Sequence, residues 1–128
     1  MARRSVLLVE DDEALRSILA RHLRARHYVV LEADSSEAAR GLLESGSRPS
    51  AVVLDINLPG DTGWSLLRGR AYVEAGRPRV VVVSATRISS ARLHEYAITG
   101  YLPKPFPIET LVATIERLIS PVRSAPEA

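Results

Sequence analysis

Three carboxylates, a hydroxyl and a lysine each follow a short apolar run in this chain. Glu10 and Asp11 follow Val6 to Val9, Asp55 follows Ala51 to Leu54, Ser84 follows Val80 to Val83, and Lys104 follows Tyr101, Leu102 and Pro103. If each run is a buried parallel strand, these polar groups all emerge at one carboxyl edge of a sheet, where open α/β folds build their sites. Asp55 enters Ile56-Asn57-Leu58-Pro59-Gly60, a stretch rich in turn residues. A carboxylate so placed can act as a nucleophile toward phosphorus and become an aspartyl phosphate. Asp55 and an incoming phosphoryl group are both anionic, so the reaction needs a divalent cation and a fixed cation at the transferring oxygens. Glu10 and Asp11 offer hard oxygens suited to Mg²⁺, which takes one or two carboxylates and keeps several waters. Lys104 is the natural fixed cation, and Ser84 can donate its hydroxyl to a phosphoryl oxygen. Each member alone has a plainer reading. Glu10-Asp11-Asp12 also reads as a helix N-cap with acidic first-turn neighbours, a role expected of Asp12; Lys104 also reads as a surface lysine and Ser84 as a strand-ending serine. The combination is what points to a site.

The elements that must position these groups follow a βαβ rhythm, with short apolar runs alternating with amphipathic segments. The patterning predicts strands near 5–10, 28–33, 51–55, 79–84 and 100–103, and helices near 13–25, 36–45, 63–74, 89–97 and 107–119. In the first helix Leu15, Ile18, Leu19, His22 and Leu23 repeat at the spacing of a single buried stripe, while Arg16, Arg21 and Arg24 fall elsewhere. Ser35 and Ser36 are N-cap candidates for the second helix, and Gly46 with Pro49 ends it. Pro107 suits a first helical turn, and Leu111, Ile115, Leu118 and Ile119 form the apolar stripe of the last helix.

A length of 128 residues fits one domain, expected over 1–120, with 121–128 as a flexible tail or linker stub and no room for a second folded domain. Hydrophobic residues at 46% and charged residues at 25% are ordinary for a globular chain with a real core and argue against disorder. The apolar runs are strand-length and Met1-Ala2-Arg3-Arg4 opens no long apolar stretch, so neither membrane nor export is expected and a cytoplasmic location is. The absence of cysteine excludes disulfides, thiolate metal sites and cysteine nucleophiles. Arginines cluster at Arg3, Arg4, Arg16, Arg21, Arg24 and Arg26, but the formal charge is only +2. Without stacking aromatics or a recognition motif they read as a solvated helix face, and direct nucleic-acid binding is not expected. His22, His27 and His94 lack a metal spacing and read as packing or surface residues, and Trp64 reads as a packing residue.

The order Glu10-Asp11, Asp55 followed by Asn57-Leu58-Pro59-Gly60, Ser84-Ala85 and Lys104-Pro105-Phe106 resembles the receiver domain of two-component response regulators, of the chemotaxis-regulator type, from about Ser5 to Ile119. The resemblance implies a flavodoxin-like doubly wound sandwich of five parallel strands in the order 2-1-3-4-5 with five helices. It implies that Asp55 is the phosphoacceptor, that Asp11 and Asp55 hold Mg²⁺ directly, that Glu10 acts through water and that Asn57 offers its main-chain carbonyl. It further implies that Lys104 and Ser84 meet the phosphoryl oxygens, that the Lys104-Pro105 peptide is cis, that Tyr101 follows the Ser84 hydroxyl inward as a switch, and that Asn57 and Thr86 tune the phosphoryl lifetime. The implied partners are a sensor histidine kinase or histidine phosphotransfer protein and a downstream protein, in a signalling phosphoacceptor rather than a metabolic enzyme.

The chain departs from the family pattern in places. Tyr96 stands where the fourth helix usually ends in glycine, so a different closure is expected there. Thr62 replaces the acidic residue usual before Gly63, with Asp61 one position earlier. Thr99, Gly100, Thr114 and Glu116 do not carry the charges of the salt-bridged dimer of winged-helix regulators, so a monomer or weak dimer is expected. Three other readings remain open: a receiver-like scaffold that works without phosphorylation, the receiver half of a longer transcriptional regulator, and a Mg²⁺ phosphohydrolase. Such hydrolases commonly carry a second aspartate two residues after the nucleophile, where this chain has Asn57.

Overall fold

The structure, a computed structural model, describes residues 4–119; the expected tail at 121–128, and Arg3, lie outside the described residues. In chain order the elements are β1 (Ser5–Val9), α1 (Glu13–Ala25), β2 (Val29–Ala33), α2 (Ser36–Glu44), β3 (Ala51–Asp55), α3 (Gly63–Arg68), α4 (Arg70–Glu74), β4 (Arg79–Ser84), α5 (Ser90–Glu95), β5 (Gly100–Pro103) and α6 (Ile108–Ile119). All strand pairs are parallel, in the order β2-β1-β3-β4-β5 that the resemblance implies. The order reverses between β1 and β3, which opens a crevice at their carboxyl ends.

Alternation along the central strands divides the core between the two faces of the sheet. Val6, Leu8, Val53, Val81 and Val83 pack with Leu19, Ala20 and Leu23 of α1 and Leu111, Val112, Ile115 and Leu118 of α6. Leu7, Val9, Val52, Leu54, Val80 and Val82 pack on the other face with Ala39 and Leu43 of α2, Trp64, Leu66 and Leu67 of α3, and Ala71 of α4. Burial on both faces explains why the central strands β1, β3 and β4 read as apolar runs.

Asp12 caps α1 by accepting the Leu15 N–H at 3.1 Å, and Ser35 caps α2 by accepting the Ala38 N–H at 3.0 Å. Ser36, the other cap candidate, is buried inside α2 and donates to the Thr62 carbonyl at 2.8 Å, which ties α2 to the start of α3.

Three expectations are corrected. There are six helices among the described residues, because the segment predicted over 63–74 breaks at Gly69, whose extended backbone (φ −81°, ψ 157°) ends α3 and precedes α4; glycine gives up more backbone freedom in a helix than any other residue. On α1, Ile18 is 37% exposed and His22 also faces outward, while Ala20 takes a place in the buried stripe. The end of α5 closes in the usual left-handed way although no glycine is present. Ala97 takes φ 55°, its N–H bonds to the His94 carbonyl at 3.0 Å, and the Ile98 N–H reaches the Leu93 carbonyl at 2.8 Å. Holding a residue with a Cβ in this conformation costs about 1–2 kcal/mol, and the same ending recurs after α1 with His27 at φ 71°.

Candidate functional site

The strand register assembles the site. Val9 lies beside Leu54, so one step further along each strand sets Glu10 beside Asp55; Asp55 pairs with Val83, and Ser84 pairs with Pro103, the residue before Lys104. Glu10 was expected inside the first strand and stands one residue past it, with its N–H still bonded to the Ala33 carbonyl at 3.0 Å.

Glu10 and Asp55 are buried at 1% and 3% exposure, and Asp11 faces solvent. One oxygen from each of these three carboxylates lies within 4.8 Å of the others, the only such cluster among the described residues. Lys104 stands between two of them, with its Nζ 2.9 Å from Asp55 Oδ2 and 2.8 Å from Glu10 Oε1. The first contact is a directed hydrogen bond; the second is close but misaligned, so the buried Glu10 Oε1 has charge contact without a hydrogen bond. The other oxygens are held by the backbone, Asp55 Oδ1 accepting the Asn57 N–H at 2.8 Å and Glu10 Oε2 the Asp12 N–H at 3.1 Å.

Burial pushes the Glu10 carboxyl above its ordinary pKa, and the contacts with Lys104 and the Asp12 N–H only partly offset this. Burial works against the Lys104 ammonium too, but Glu10 and Asp55 together outweigh it and hold the lysine more firmly charged than in water. A cluster of hard oxygens with a buried oxygen short of hydrogen bonds fits a small divalent cation such as Mg²⁺.

On the β4 side, the buried Ser84 hydroxyl donates to Asn57 Oδ1 at 2.6 Å and accepts the Thr86 N–H at 3.0 Å. The Asn57 Nδ2 amide donates to Thr86 Oγ1 at 3.2 Å, which closes a polar triangle over the Asp55 loop. Tyr101 is half-buried, and its hydroxyl accepts the Ile88 N–H at 3.4 Å. The Lys104-Pro105 peptide is cis. Gly63 is needed where α3 begins, since a Cβ there would stand 2.9 Å from Ile56 Cδ1 and 3.0 Å from the Asp55 carbonyl oxygen. Asp61 pairs with Arg40 at 3.0 Å, away from the cluster, and the side chain of Thr62 does not cap α3.

The structure thus brings Glu10, Asp11, Asp55 and Lys104 together and gathers Asn57, Ser84 and Thr86 beside them. His22, His27 and His94 are exposed, and none belongs to the carboxylate cluster. Two features escaped the reading from sequence. Arg16, assigned to a solvated face, turns back to the Glu10 carbonyl at 2.8 Å. Trp64 stacks on Tyr96 with ring centroids 4.7 Å apart, Arg92 lies over its ring at 5.3 Å, and Arg68 donates to the Tyr96 hydroxyl at 2.8 Å. Arg16 falls one turn after the Asp12 cap, which hints that it reaches the strand edge; nothing in the sequence pairs Trp64 with Tyr96.

Comparison with known proteins agrees with this geometry. Residues 6–116 match the family model of the response regulator receiver domain. The response regulator MprA of Mycolicibacterium vanbaalenii is 35% identical over 116 residues, covering 89% of this chain and 49% of that protein. The sensor kinase CckA of Brucella abortus is 34% identical over 117 residues, covering 90% of this chain and 12% of the kinase. Thus the chain spans about half the length, or less, of these curated relatives. Among solved structures, the receiver domain of the hybrid histidine kinase CckA superposes with a TM-score of 0.75 at 34% identity, covering 91% of this chain and 99% of that one. The non-phosphorylated HemR receiver domain from Leptospira biflexa gives 0.81 at 28% identity, covering 98% and 100%. No helix among the described residues is long and apolar enough to cross a membrane. With the fold, the carboxylate cluster and these relatives in agreement, the chain belongs to the response regulator receiver domain family.

Proposed function

We propose that this chain accepts a phosphoryl group on Asp55 from a sensor histidine kinase or histidine phosphotransfer protein, with Mg²⁺, and thereby switches a surface read by a downstream protein. The observation that carries this reading is Lys104 Nζ held between Asp55 and Glu10, at 2.9 and 2.8 Å, in the one three-carboxylate cluster among the described residues. A carboxylate oxygen of Asp55 attacks phosphorus as the bond from phosphorus to the donor histidine nitrogen breaks, and the nitrogen leaves with the electron pair. Lys104 stabilises the negative charge carried on the transferring oxygens. Asp11, Asp55 and the Asn57 main-chain carbonyl would hold Mg²⁺, with Glu10 acting through water. The ion, when bound, supplies charge neutralisation and orients the phosphoryl oxygens.

For Ser84 to donate to a phosphoryl oxygen it must leave Asn57 Oδ1, its present acceptor at 2.6 Å. Asn57 and Thr86 therefore enter the lifetime of the phosphorylated form, and Tyr101, bonded to the Ile88 N–H, is the residue through which the loop after β4 responds. The chain acts in the cytoplasm as a monomer or weak dimer, and residues 1–120 form the phosphoacceptor unit, here or within a longer regulator. Against the charge pairing of a winged-helix dimer, Thr114 is buried and Glu116 is already paired with Arg26 at 3.0 Å. The test is intact mass after incubation with acetyl phosphate and Mg²⁺, for wild type and Asp55→Asn. A mass gain of one phosphoryl group in wild type alone supports the reading. No gain in wild type would favour a scaffold that works without phosphorylation, and continuous release of phosphate from many small esters would favour a hydrolase.

A further inference from the structure

We propose that Arg16 is a positioning residue for the Mg²⁺ site, holding the peptide between Glu10 and Asp11 in the orientation that receives the ion; this deepens the phosphoacceptor reading and rests on it. The Arg16 side chain is only 16% exposed although it sits on a surface helix. Its Nη1 donates to the Glu10 carbonyl oxygen at 2.8 Å, and its Nε donates to Glu32 Oε1 on β2 at 3.2 Å. The other Glu32 oxygen pairs with Arg24 at 3.2 Å, and Arg24 in turn donates to the Val30 carbonyl at 3.0 Å. Glu32 is thereby anchored from both sides.

The bond to the Glu10 carbonyl matters because of where that group lies. Strand pairing of β1 with β2 ends at Val9 and Ala33, so the carbonyl of Glu10 lies past the ladder, and Arg16 supplies it with a donor. That carbonyl belongs to the peptide joining Glu10 to Asp11. A peptide is planar, so fixing its oxygen also fixes the direction in which the chain leaves toward both carboxylates. The rigid fork of a guanidinium can serve the carbonyl and Glu32 together, which the single ammonium of a lysine does less well.

Charge and position predict opposite outcomes when Arg16 is removed. A cation near three carboxylates opposes a second cation, so on charge alone its loss would tighten Mg²⁺ binding. If its contribution is to hold the Glu10–Asp11 peptide, its loss weakens binding. A merely structural bond would lower thermal stability and leave Mg²⁺ affinity unchanged.

The test is equilibrium titration of the chain with Mg²⁺ alone, followed by amide chemical shifts of residues 10–12, together with thermal unfolding. The variants are Arg16→Met, which keeps the apolar stem, Arg16→Lys, and Glu32→Gln, which loosens the anchor while leaving the Arg16 charge in place. Outer partners of metal ligands commonly contribute about 10–100-fold in affinity; acting through a peptide, Arg16→Met is expected to weaken Mg²⁺ binding by about threefold to tenfold. Arg16→Lys should recover part of the loss, and Glu32→Gln should weaken binding in the same direction by less. Equal or tighter binding by Arg16→Met and Glu32→Gln, with a lowered unfolding temperature alone, would overturn the proposal while leaving the phosphoacceptor reading intact. Failure of the wild type to bind Mg²⁺ would overturn that reading, and this inference with it.

Discussion

Helices α1 and α5 follow β1 and β4 on opposite faces of the sheet and are attached by different physics. α1 puts Leu19, Ala20 and Leu23 into the core at 1% exposure or less, and Arg16 and Arg24 tie it to Glu10 just past β1 and to β2. α5 contributes no buried residue. It is held chiefly through Tyr96 and Arg92 on Trp64, the Arg68 bond to Tyr96, and partial packing of Ile88, Tyr96 and Ile98 against the core. The side that carries Glu10 and Asp11 is therefore fixed by apolar burial, which is lost only on unfolding. The side that follows Ser84 is fixed by a stacked ring pair and a few polar contacts, each worth about 0.5–1.5 kcal/mol. A segment so attached can move without unfolding the domain, as a switch between two packings requires.

The largest effect that would sharpen this contrast is on stability. Leu23→Ala should lower unfolding free energy by about 2–5 kcal/mol in urea titrations, as emptied core sites do. Leu93→Ala, on the half-buried side of α5, should cost about 1 kcal/mol or less. Equal costs would show that α5 is as firmly packed as α1.

Next in size is Asp11→Ala. It should remove most Mg²⁺ affinity, and it should leave the metal-free chain as stable as wild type or about 1 kcal/mol more stable, because like charge around the buried Glu10 and Asp55 is relieved. Calorimetric Mg²⁺ titration and thermal unfolding of the same sample check both. Wild-type metal affinity in the variant would remove Asp11 from the site.

A smaller effect is expected from Trp64→Leu, which keeps an apolar side chain in the core and deletes the stacking surface. Amide exchange in residues 88–98 should quicken by roughly threefold to tenfold, matching about 1 kcal/mol of lost stacking and cation–π contact, while residues 13–25 stay as in wild type. Uniform quickening across both helices would mean that Trp64 supports the whole core rather than α5.

The finest distinction comes from beryllofluoride, a mimic of the phosphoryl group. With Mg²⁺ it should change exchange most in residues 84–104, where Ser84 leaves Asn57 and Tyr101 releases or retains the Ile88 N–H. Changes confined to residues 10–12 and 55–63 would instead describe a rigid site and would move the search for the partner surface to α1.

How much of this was legible without coordinates follows the same division. The strands at 51–55 and 79–84 and the polar groups that close them were readable, because a strand buried on both faces must be apolar along its length and the polar residue that ends it marks the edge. The Asp12 and Ser35 caps were readable from local chemistry. Contacts that depend on how helices lie across one another were not. Arg16 reads as solvated on a helical wheel, since periodicity records only its own helix and not the Glu32 and Glu10 groups beside it. The stacking of Trp64 on Tyr96 joins two elements with no shared sequence signal. Left-handed Ala97 escaped for a different reason: glycine is the cheapest residue there but alanine is permitted, and its cost of about 1–2 kcal/mol is borne by contacts that only the fold reveals.

Asp55 is the group on which phosphoacceptor chemistry depends, and intact mass spectrometry of the chain after acetyl phosphate and Mg²⁺ addresses it in one measurement. Wild type should gain the mass of a single phosphoryl group, while Asp55→Asn, with similar volume and no nucleophilic carboxylate, should gain none. A wild-type chain that stays unmodified, or an Asp55→Asn variant labelled to the same extent, would contradict it.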